Sequence, residues 1–174
     1  MKKILVLVIT LAVCAGILFA MNAALDSVRV EKLSEEHFSI MRTLLPGSEN
    51  FTLEKYTGED SIIRSVHKGE TGYIIETVTS GYASDIRMLI GVTNEGEVVG
   101  LVVRELHETK GLGANALTDT DFLAQFLKTK GNAEVGSGID AISGATVTSK
   151  AIARSVNSAA AYVTGADISS GATP

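Results

Sequence analysis

The first 25 residues contain one long apolar run and almost no charge. The run extends from Ile4 to Met21, 18 residues without a charged side chain. At a rise of 1.5 Å per residue, a helix of that length reaches about 27 Å, close to the ~30 Å thickness of a bilayer's hydrocarbon core. The pattern predicts a single N-terminal transmembrane helix, with residues 1–25 as a membrane anchor.

Two other interpretations of this segment are less consistent with its sequence. A cleaved signal peptide has a shorter apolar region, usually of about 7–15 residues, and a small-residue cleavage site that is absent after Met21. A lipoprotein signal at Cys14 would need a small residue where Val13 stands. Lys2 and Lys3 precede the span and Asp26 follows it, which by the positive-inside tendency places the N-terminus in the cytoplasm. The rest of the chain is then expected on the extracytoplasmic side.

The next segment, residues 26–45, has the periodicity of a helix. Its apolar or partly apolar positions recur at roughly helical spacing until Pro46 and Gly47 interrupt them. These positions are Val28, Val30, Leu33, His37, Ile40, Met41 and Leu44. We expect a connecting helix that enters the folded domain.

Strand patterns dominate the middle of the chain. Residues 72–79, 85–93 and 98–103 are rich in β-branched and other apolar residues and partly alternate with polar ones. A turn at 94–97 separates the last two segments. The sequence therefore predicts a β-hairpin over residues 85–103.

Helical patterns follow the strands. Thr118 or Asp119 can cap a short helix, whose apolar face is expected to contain Phe122, Leu123, Phe126 and Leu127. A final Ala-rich helix is predicted from Val147 to Val163, with an apolar stripe formed by Ile152, Val156, Ala159 and Val163. The predicted fold class is α+β: a single N-terminal transmembrane helix followed by a mainly antiparallel sheet packed with helices. Residues 46–164 would form the domain, and residues 165–174 a small, polar, mobile tail.

Charge and cysteine content exclude several functions. Lys2 and Lys3 are the only charged residues before Asp26, so 13 of the 15 basic residues and all 20 acidic residues lie in the rest of the chain, whose net charge is −7. Such a domain lacks the basic surface that nucleic-acid binding requires. Cys14 is the only cysteine, so no disulfide, haem attachment or cysteine-ligated iron–sulfur cluster is expected. The three histidines are isolated, and we assign no metal site and no catalytic residue.

One short segment carries candidate chemistry. Asp140-Ala-Ile-Ser-Gly-Ala-Thr146 comes directly before the final helix, so the Thr146 hydroxyl is expected at or near a helix N-terminus. Unpaired backbone N–H groups and the positive end of the helix dipole stabilise an anion there, and Gly144 and Ala145 add little bulk. A phosphate esterified to Thr146 would be stabilised at this position.

This segment resembles the D-x-x-(S/T)-G-A-(S/T) target of bacterial flavin transferases, in which the final hydroxyl takes FMN from FAD as a phosphoester. The domain is similar to the FMN-binding domain shared by the G subunit of the Rnf electron-transport complex and the C subunit of the sodium-translocating NADH:quinone reductase. A second segment, His107-Glu-Thr-Lys-Gly-Leu-Gly113, is similar to the family's H-x-E-T-x-G-L-G loop. Lys110 departs from it, since proline is frequent there.

The resemblance implies specific site residues. Thr146 would carry covalent FMN, with Ser143, Gly144 and Ala145 beside it and Asp140 recognised by the transferase. Glu108, Thr109 and Leu112 would contact the isoalloxazine ring.

Two observations leave alternatives at this site. Residues 167–173 match the same target pattern and end in Thr173, but no helix follows them. Ser143 or Thr146 could also act simply as the N-cap of the final helix. The second family segment upstream favours Thr146 as the attachment residue.

The resemblance implies an electron-transfer subunit that is not a catalyst alone. Its partners would be the membrane subunits of an Rnf-type complex in the bacterial cytoplasmic membrane, and a flavin transferase during maturation. Three alternatives remain open. They are the C subunit of the quinone reductase, an independent anchored flavoprotein relay, and a non-redox interaction module.

Overall fold

A five-stranded antiparallel sheet forms the centre of the domain. The computed structural model describes residues 35–106 and 119–166 of the chain. The strands lie in chain order, each antiparallel to the next. They are β1 (Thr52–Glu54), β2 (Ile63–Lys68), β3 (Gly72–Ser80), β4 (Asp85–Thr93) and β5 (Val98–Leu106). The helices are α1 (residues 35–44), α2 (Thr120–Ala124) and α3 (Thr146–Thr164). The predicted α+β class with an antiparallel sheet is confirmed.

The transmembrane helix predicted near the N-terminus lies in a different part of the chain from the sheet. The chain divides into two compact units, of which the first ends at Ser39 and the second begins at Ile40. The sheet belongs to the second unit. In residues 35–106 and 119–166, no helix combines the length and apolar character needed to cross a bilayer. The span predicted at residues 4–21 lies outside these ranges.

The predicted hairpin is present and has a defined turn. The N–H of Thr93 donates to the carbonyl of Glu97 at 2.8 Å, and the Thr93 hydroxyl accepts from the N–H groups of Glu95 and Glu97 at 3.3 Å each. Gly96 has a φ of +80°, which glycine adopts at little cost. The turn is followed by the pairing of Val92 with Val98, and the register between β4 and β5 then shifts twice, between Gly91 and Val92 and between Arg87 and Met88.

Strands β1 and β2 were not predicted. In β2 only Ile63 and Val66 are buried, and they are three residues apart instead of two or four. A register shift between Ile63 and Ser65 explains the spacing, because an irregularity inserts an extra residue and reverses the side to which later side chains point. The alternation that identifies a strand in sequence is lost there.

Each face of the sheet has its own apolar cluster. The larger cluster includes Ile75, Ile90 and Val156 and lies where α3 packs on the sheet. The smaller contains Met41, Leu44 and Leu45, which pack with Ile74 and Leu89. The sheet is therefore covered on both faces.

Helix α2 is shorter than its apolar pattern suggests. Asp119 caps it, accepting a hydrogen bond from the N–H of Phe122 at 2.9 Å, as expected. The helix ends at Ala124 because the chain then pairs with the start of β5: the N–H of Lys128 donates to the Val98 carbonyl at 2.7 Å. Leu127, expected on the apolar face, is 40% exposed, so that expectation was wrong for this residue.

Helix α3 matches its predicted stripe closely. Ile152, Val156 and Ala159 are fully buried, and Val163 packs against the same core. The helix ends at Gly165, which has a φ of +68° and donates its N–H to the carbonyl of Ala161 at 2.8 Å. This left-handed residue is a common helix terminator.

Candidate functional site

The segment before α3 folds into a tight turn. The N–H of Ala145 donates to the carbonyl of Ile142 at 2.9 Å, which closes a four-residue turn. Gly144, at the third position, has a φ of +73°, the conformation that a type II turn requires and that glycine adopts most easily. The turn delivers the chain directly into the first turn of α3.

A buried hydroxyl holds this turn against the helix. The Ser149 hydroxyl accepts a hydrogen bond from the N–H of Ile142 at 3.1 Å and donates one to the carbonyl of Ala145 at 3.0 Å. Ser149 has no exposed surface. Both hydrogen-bonding functions of the hydroxyl are therefore used to fix the two ends of the turn.

A side-chain amide fixes the start of the segment. The Gln125 carbonyl oxygen accepts from the N–H of Asp140 at 2.7 Å, and its NH₂ group donates to the Asp140 carbonyl at 3.4 Å. Gln125 is the C-cap residue of α2, which begins one residue after Asp119. The segment at 140–146 is thus attached to the helix that follows residues 107–118.

Burial alternates along the segment according to polarity. Ile142 and Ala145 are buried, whereas Asp140, Ser143 and Thr146 are exposed. The apolar residues anchor the turn in the core. The carboxylate and the two hydroxyls are presented to solvent.

Thr146 is the first residue of α3, and it is not the N-cap. The N-cap is Ala145, whose methyl group cannot accept a hydrogen bond, and no acidic residue lies in the first helical turn. The alternative that Thr146 or Ser143 acts as the N-cap is therefore wrong. The first N–H groups of a helix have no intrahelical acceptors, so this helix start keeps its capacity to bind an anion.

Two basic residues follow Thr146 on the exposed side of α3. Lys150 and Arg154 come four and eight residues after it, and both are exposed. Within residues 35–106 and 119–166, neither forms an ion pair. Long side chains on a helix extend back towards its N-terminus, so Lys150 covers the surface near Thr146. Two positive side chains therefore lie on the exposed side of α3 that follows Thr146.

The expected ring contacts fall outside these ranges. Glu108, Thr109 and Leu112 lie in residues 107–118, which the structure does not describe. Gln125 and Ser149, by contrast, were not expected from sequence. The one feature of the sequence that could have indicated Ser149 is the presence of a serine in the first turns of an Ala-rich helix.

Comparison with known proteins identifies the family. Residues 81–161 match the model of the FMN-binding domain. The G subunit of the proton-translocating ferredoxin:NAD(+) oxidoreductase complex of Clostridium ljungdahlii is 30% identical over 166 residues, covering 91% of this chain and 88% of that protein. The chain belongs to this family of G subunits.

Two further relatives support the family assignment. The G subunit of the ion-translocating oxidoreductase complex of Methanosarcina acetivorans is 28% identical, covering 92% of this chain and 93% of the relative. The G subunit of the Na(+)-translocating ferredoxin:NAD(+) oxidoreductase complex of Acetobacterium woodii is 36% identical over 115 residues, which cover 60% of this chain and 52% of that protein. The family's FMN-binding domain includes the turn, Thr146 and Ser149 of this chain.

Proposed function

We propose that this chain carries FMN covalently on Thr146 and transfers electrons as the G subunit of an Rnf-type ion-translocating oxidoreductase. One observation supports the attachment residue most directly. Thr146 is exposed at the first position of α3, on a turn fixed by Gln125 and Ser149, and the N-cap residue offers no side-chain acceptor. An attached phosphate would be stabilised by the free N–H groups of the helix start.

The attachment reaction is a transfer from FAD. The Thr146 oxygen attacks the phosphorus of the FMN half, the pyrophosphate P–O bond breaks, and AMP leaves with the bridging oxygen. The hydroxyl proton passes to a base of the flavin transferase. Asp140 is exposed while its backbone is held by Gln125, which supports its role as a recognition residue for that transferase.

The residues of this chain would bind and orient the cofactor. FMN, when bound, supplies the redox chemistry by accepting and releasing electrons. The start of α3 and Lys150 would balance the charge of the phosphate, while Ser143, Gly144 and Ala145 leave space around it. We propose Glu108, Thr109 and Leu112 as ring contacts. Their replacement by alanine should preserve attachment and change the absorption spectrum of the flavin.

The proposal includes a membrane location. Residues 4–21 would anchor the chain in the bacterial cytoplasmic membrane, beside the membrane subunits of the complex, with the domain on the extracytoplasmic side. The support is the apolar run and the lysines that precede it. Protease added to intact spheroplasts should digest the domain, and complete protection would contradict this topology.

Covalent attachment can be tested directly. Intact mass of the protein purified from its own host should exceed the sequence mass by one FMN less one water. Thr146→Val should remove this increment and the in-gel flavin fluorescence that survives denaturation. Thr173→Val, the matched control in the second copy of the target pattern, should retain both. Full fluorescence in the Thr146 variant would overturn the assignment.

A further inference from the structure

A cavity of about 300 Å³ lies at the end of α3 opposite to Thr146. Its lining residues come from the loop before β2, from the last turns of α3, and from Gly165 and Ala166, which follow the helix. The chain therefore passes along the cavity as it leaves α3. The volume is at the lower end of the range for ligand pockets, about 300–1,000 Å³, and suits one large side chain better than a cofactor.

The next residues of the chain supply a side chain of this kind. Residues 167–174 lie outside the ranges that the structure describes, and Ile168 is their one large aliphatic residue. We propose that Ile168 binds in this cavity, and that the contact keeps the second copy of the target pattern, residues 167–173, from the flavin transferase. The second half of this proposal rests on the proposed flavin attachment, whereas the first half does not.

The end of α3 directs the chain back towards the helix. Gly165 has a φ of +68°, and its N–H donates to the carbonyl of Ala161 at 2.8 Å. After a left-handed residue of this kind, an apolar side chain frequently packs against the last turn of the helix. Ala166 already lines the cavity, and Ile168 follows two residues later, at most about 7 Å of extended chain. Ile168 can therefore reach the cavity without any change in the helix.

Two tyrosine rings provide an apolar surface for the isoleucine. Tyr56 and Tyr162 are in edge-to-face contact, with ring centroids 5.9 Å apart and planes inclined by 60°. Both are half-buried, so each keeps surface that an aliphatic side chain can cover. Ile63 and Ala161, which are buried, complete the apolar part of the lining. Removal of this surface from water favours the bound state.

The position of Tyr56 is fixed before the isoleucine binds. Its hydroxyl oxygen accepts a hydrogen bond from the N–H of Asp60 at 3.1 Å. Its ring lies so close to Gly58 that a Cβ at that residue would overlap it. A surface held in this way lowers the entropic cost of binding. Because Ile168 belongs to the same chain, its effective concentration at the cavity is also high, so a weak contact is sufficient.

The charges of the lining suit the residue that precedes the isoleucine. Asp167 is the only charged residue after α3. Lys55 lines the cavity, is exposed, and forms no ion pair within the part of the chain that the structure describes. The free oxygen of Asp60, Oδ2, is buried, and Glu54 is paired with Lys68 at 3.7 Å. The accessible charge at the cavity is therefore positive, and an ion pair with Asp167 would orient the segment while adding little affinity.

Binding of Ile168 would restrict the second copy of the target pattern. A flavin transferase must draw its target residues into its own active site, so the segment has to leave the surface of the domain. Ile168 occupies a variable position of the pattern, between Asp167 and the Ser-Gly-Ala-Thr residues that end at Thr173. While Ile168 is bound, these residues are held beside the cavity. Thr146, by contrast, is exposed on its turn and remains accessible.

The chemical shift of one methyl group tests the docking. Full-length protein would be labelled at the δ1 methyl groups of isoleucine, and the Ile168 signal would be assigned as the one that Ile168→Ser removes. The ring currents of Tyr56 and Tyr162 should move this signal upfield from its position in a peptide of residues 165–174. Tyr162→Leu should reduce this displacement, whereas Tyr82→Leu, at a tyrosine 74% exposed, should leave it unchanged.

The displacement in the parent protein decides the docking, so the result does not depend on how well Tyr162→Leu folds. An Ile168 signal at the position found in the peptide would overturn the proposal. The displacement should also be independent of protein concentration. A displacement that disappears on dilution would assign the cavity to the tail of a second copy and would equally overturn the proposal.

Flavin content tests the consequence for modification. In a host with a flavin transferase, the parent protein should carry one FMN and Ile168→Ser a second, seen as another mass increment of one FMN less one water. The Thr173 oxygen would take the FMN phosphorus of FAD, and AMP would leave. Thr173→Val added to Ile168→Ser should remove the second increment. Ser169→Ala, at the other variable position of the pattern, is the matched control and should carry one FMN.

The two measurements separate this proposal from the flavin attachment. The methyl signal is recorded on protein from a host without the transferase, so its displacement supports docking even if Thr146→Val leaves the flavin content unchanged. An undisplaced signal refutes docking whatever the flavin content. If Ile168→Ser removes no protection, so that Thr146 carries FMN and Thr173 still carries none, the contact does not control modification and the second half of the proposal is wrong.

Discussion

The hydroxyl of Ser149 accepts a hydrogen bond from the N–H of Ile142, seven residues earlier, at 3.1 Å. Ser149→Ala should leave this buried N–H without a partner and lower the free energy of unfolding by about 1–3 kcal/mol. Urea denaturation measures the change. Ser137→Ala, at an exposed serine of the preceding loop, should change stability by less than about 0.5 kcal/mol. Equal stability of the two variants would show that the hydroxyl does not hold the turn.

The parts of the fold that could be predicted have patterns that are continuous in sequence. Strands β3 to β5 are runs of nine residues rich in apolar and β-branched side chains, and the buried side chains of helix α3 recur at helical spacing. Strand β2 could not be predicted because the irregularity after Ile63 breaks the alternation. The early end of α2, at Ala124, could not be predicted for another reason. It depends on the hydrogen bond between Lys128 and Val98, which lies in a strand 30 residues earlier in the chain.

Some features of the candidate site could likewise be predicted from the sequence, and others could not. The position of Thr146 at a helix start followed from a short local segment and the Ala-rich pattern after it. The N-cap interpretation was wrong because Thr146 is already the first residue of α3, so the cap position is occupied by Ala145. Gln125 and Ser149 each hold the turn through the hydrogen bonds of a single side chain. The spacing of apolar residues in the sequence does not indicate such hydrogen bonds.

Gly100 lies directly beneath the end of α1. A Cβ at Gly100 would come within 2.5 Å of the Leu44 carbonyl oxygen and 2.9 Å of its Cα. Gly100→Ala should therefore displace the helix end and destabilise the protein by about 1–3 kcal/mol. The obstructing atoms belong to the backbone, so trimming the side chain with Leu44→Ala should add a further loss. Recovery of stability in the double variant would contradict this arrangement.

Tyr162 should limit stability at alkaline pH. Burial raises the pKa of Tyr162, and the nearby Glu54 carboxylate raises it further. Below the unfolded pKa, about 10, both states keep the proton; as the pH rises above it, the unfolded state loses its proton first, so stability falls until the folded pKa is passed. Tyr162→Phe should reduce this loss in urea midpoints measured between about pH 9 and 12. Tyr82→Phe, at a tyrosine 74% exposed, should leave the loss unchanged, and a reversed ranking would contradict the assignment.

The start of the folded domain can be located by truncation. The sequence predicts that the domain begins at residue 46, and the compact unit that contains the sheet begins at Ile40. Met41, Leu44 and Leu45 are buried in the smaller apolar cluster. A fragment that starts at residue 47 lacks all three and leaves that face of the sheet exposed. Burial of each such side chain contributes about 1.5–3 kcal/mol, so the combined loss is comparable with the whole stability of a small domain.

A fragment of residues 40–174 should consequently unfold cooperatively in urea and bind little of a hydrophobic dye such as ANS. A fragment of residues 47–174 should bind the dye strongly and unfold over a broad range of urea. A Met41→Ala version of the longer fragment serves as the intermediate control, because it loses one of the three side chains and should be destabilised by about 2–5 kcal/mol. Equal unfolding midpoints of the two fragments would show that residues 40–46 do not belong to the domain.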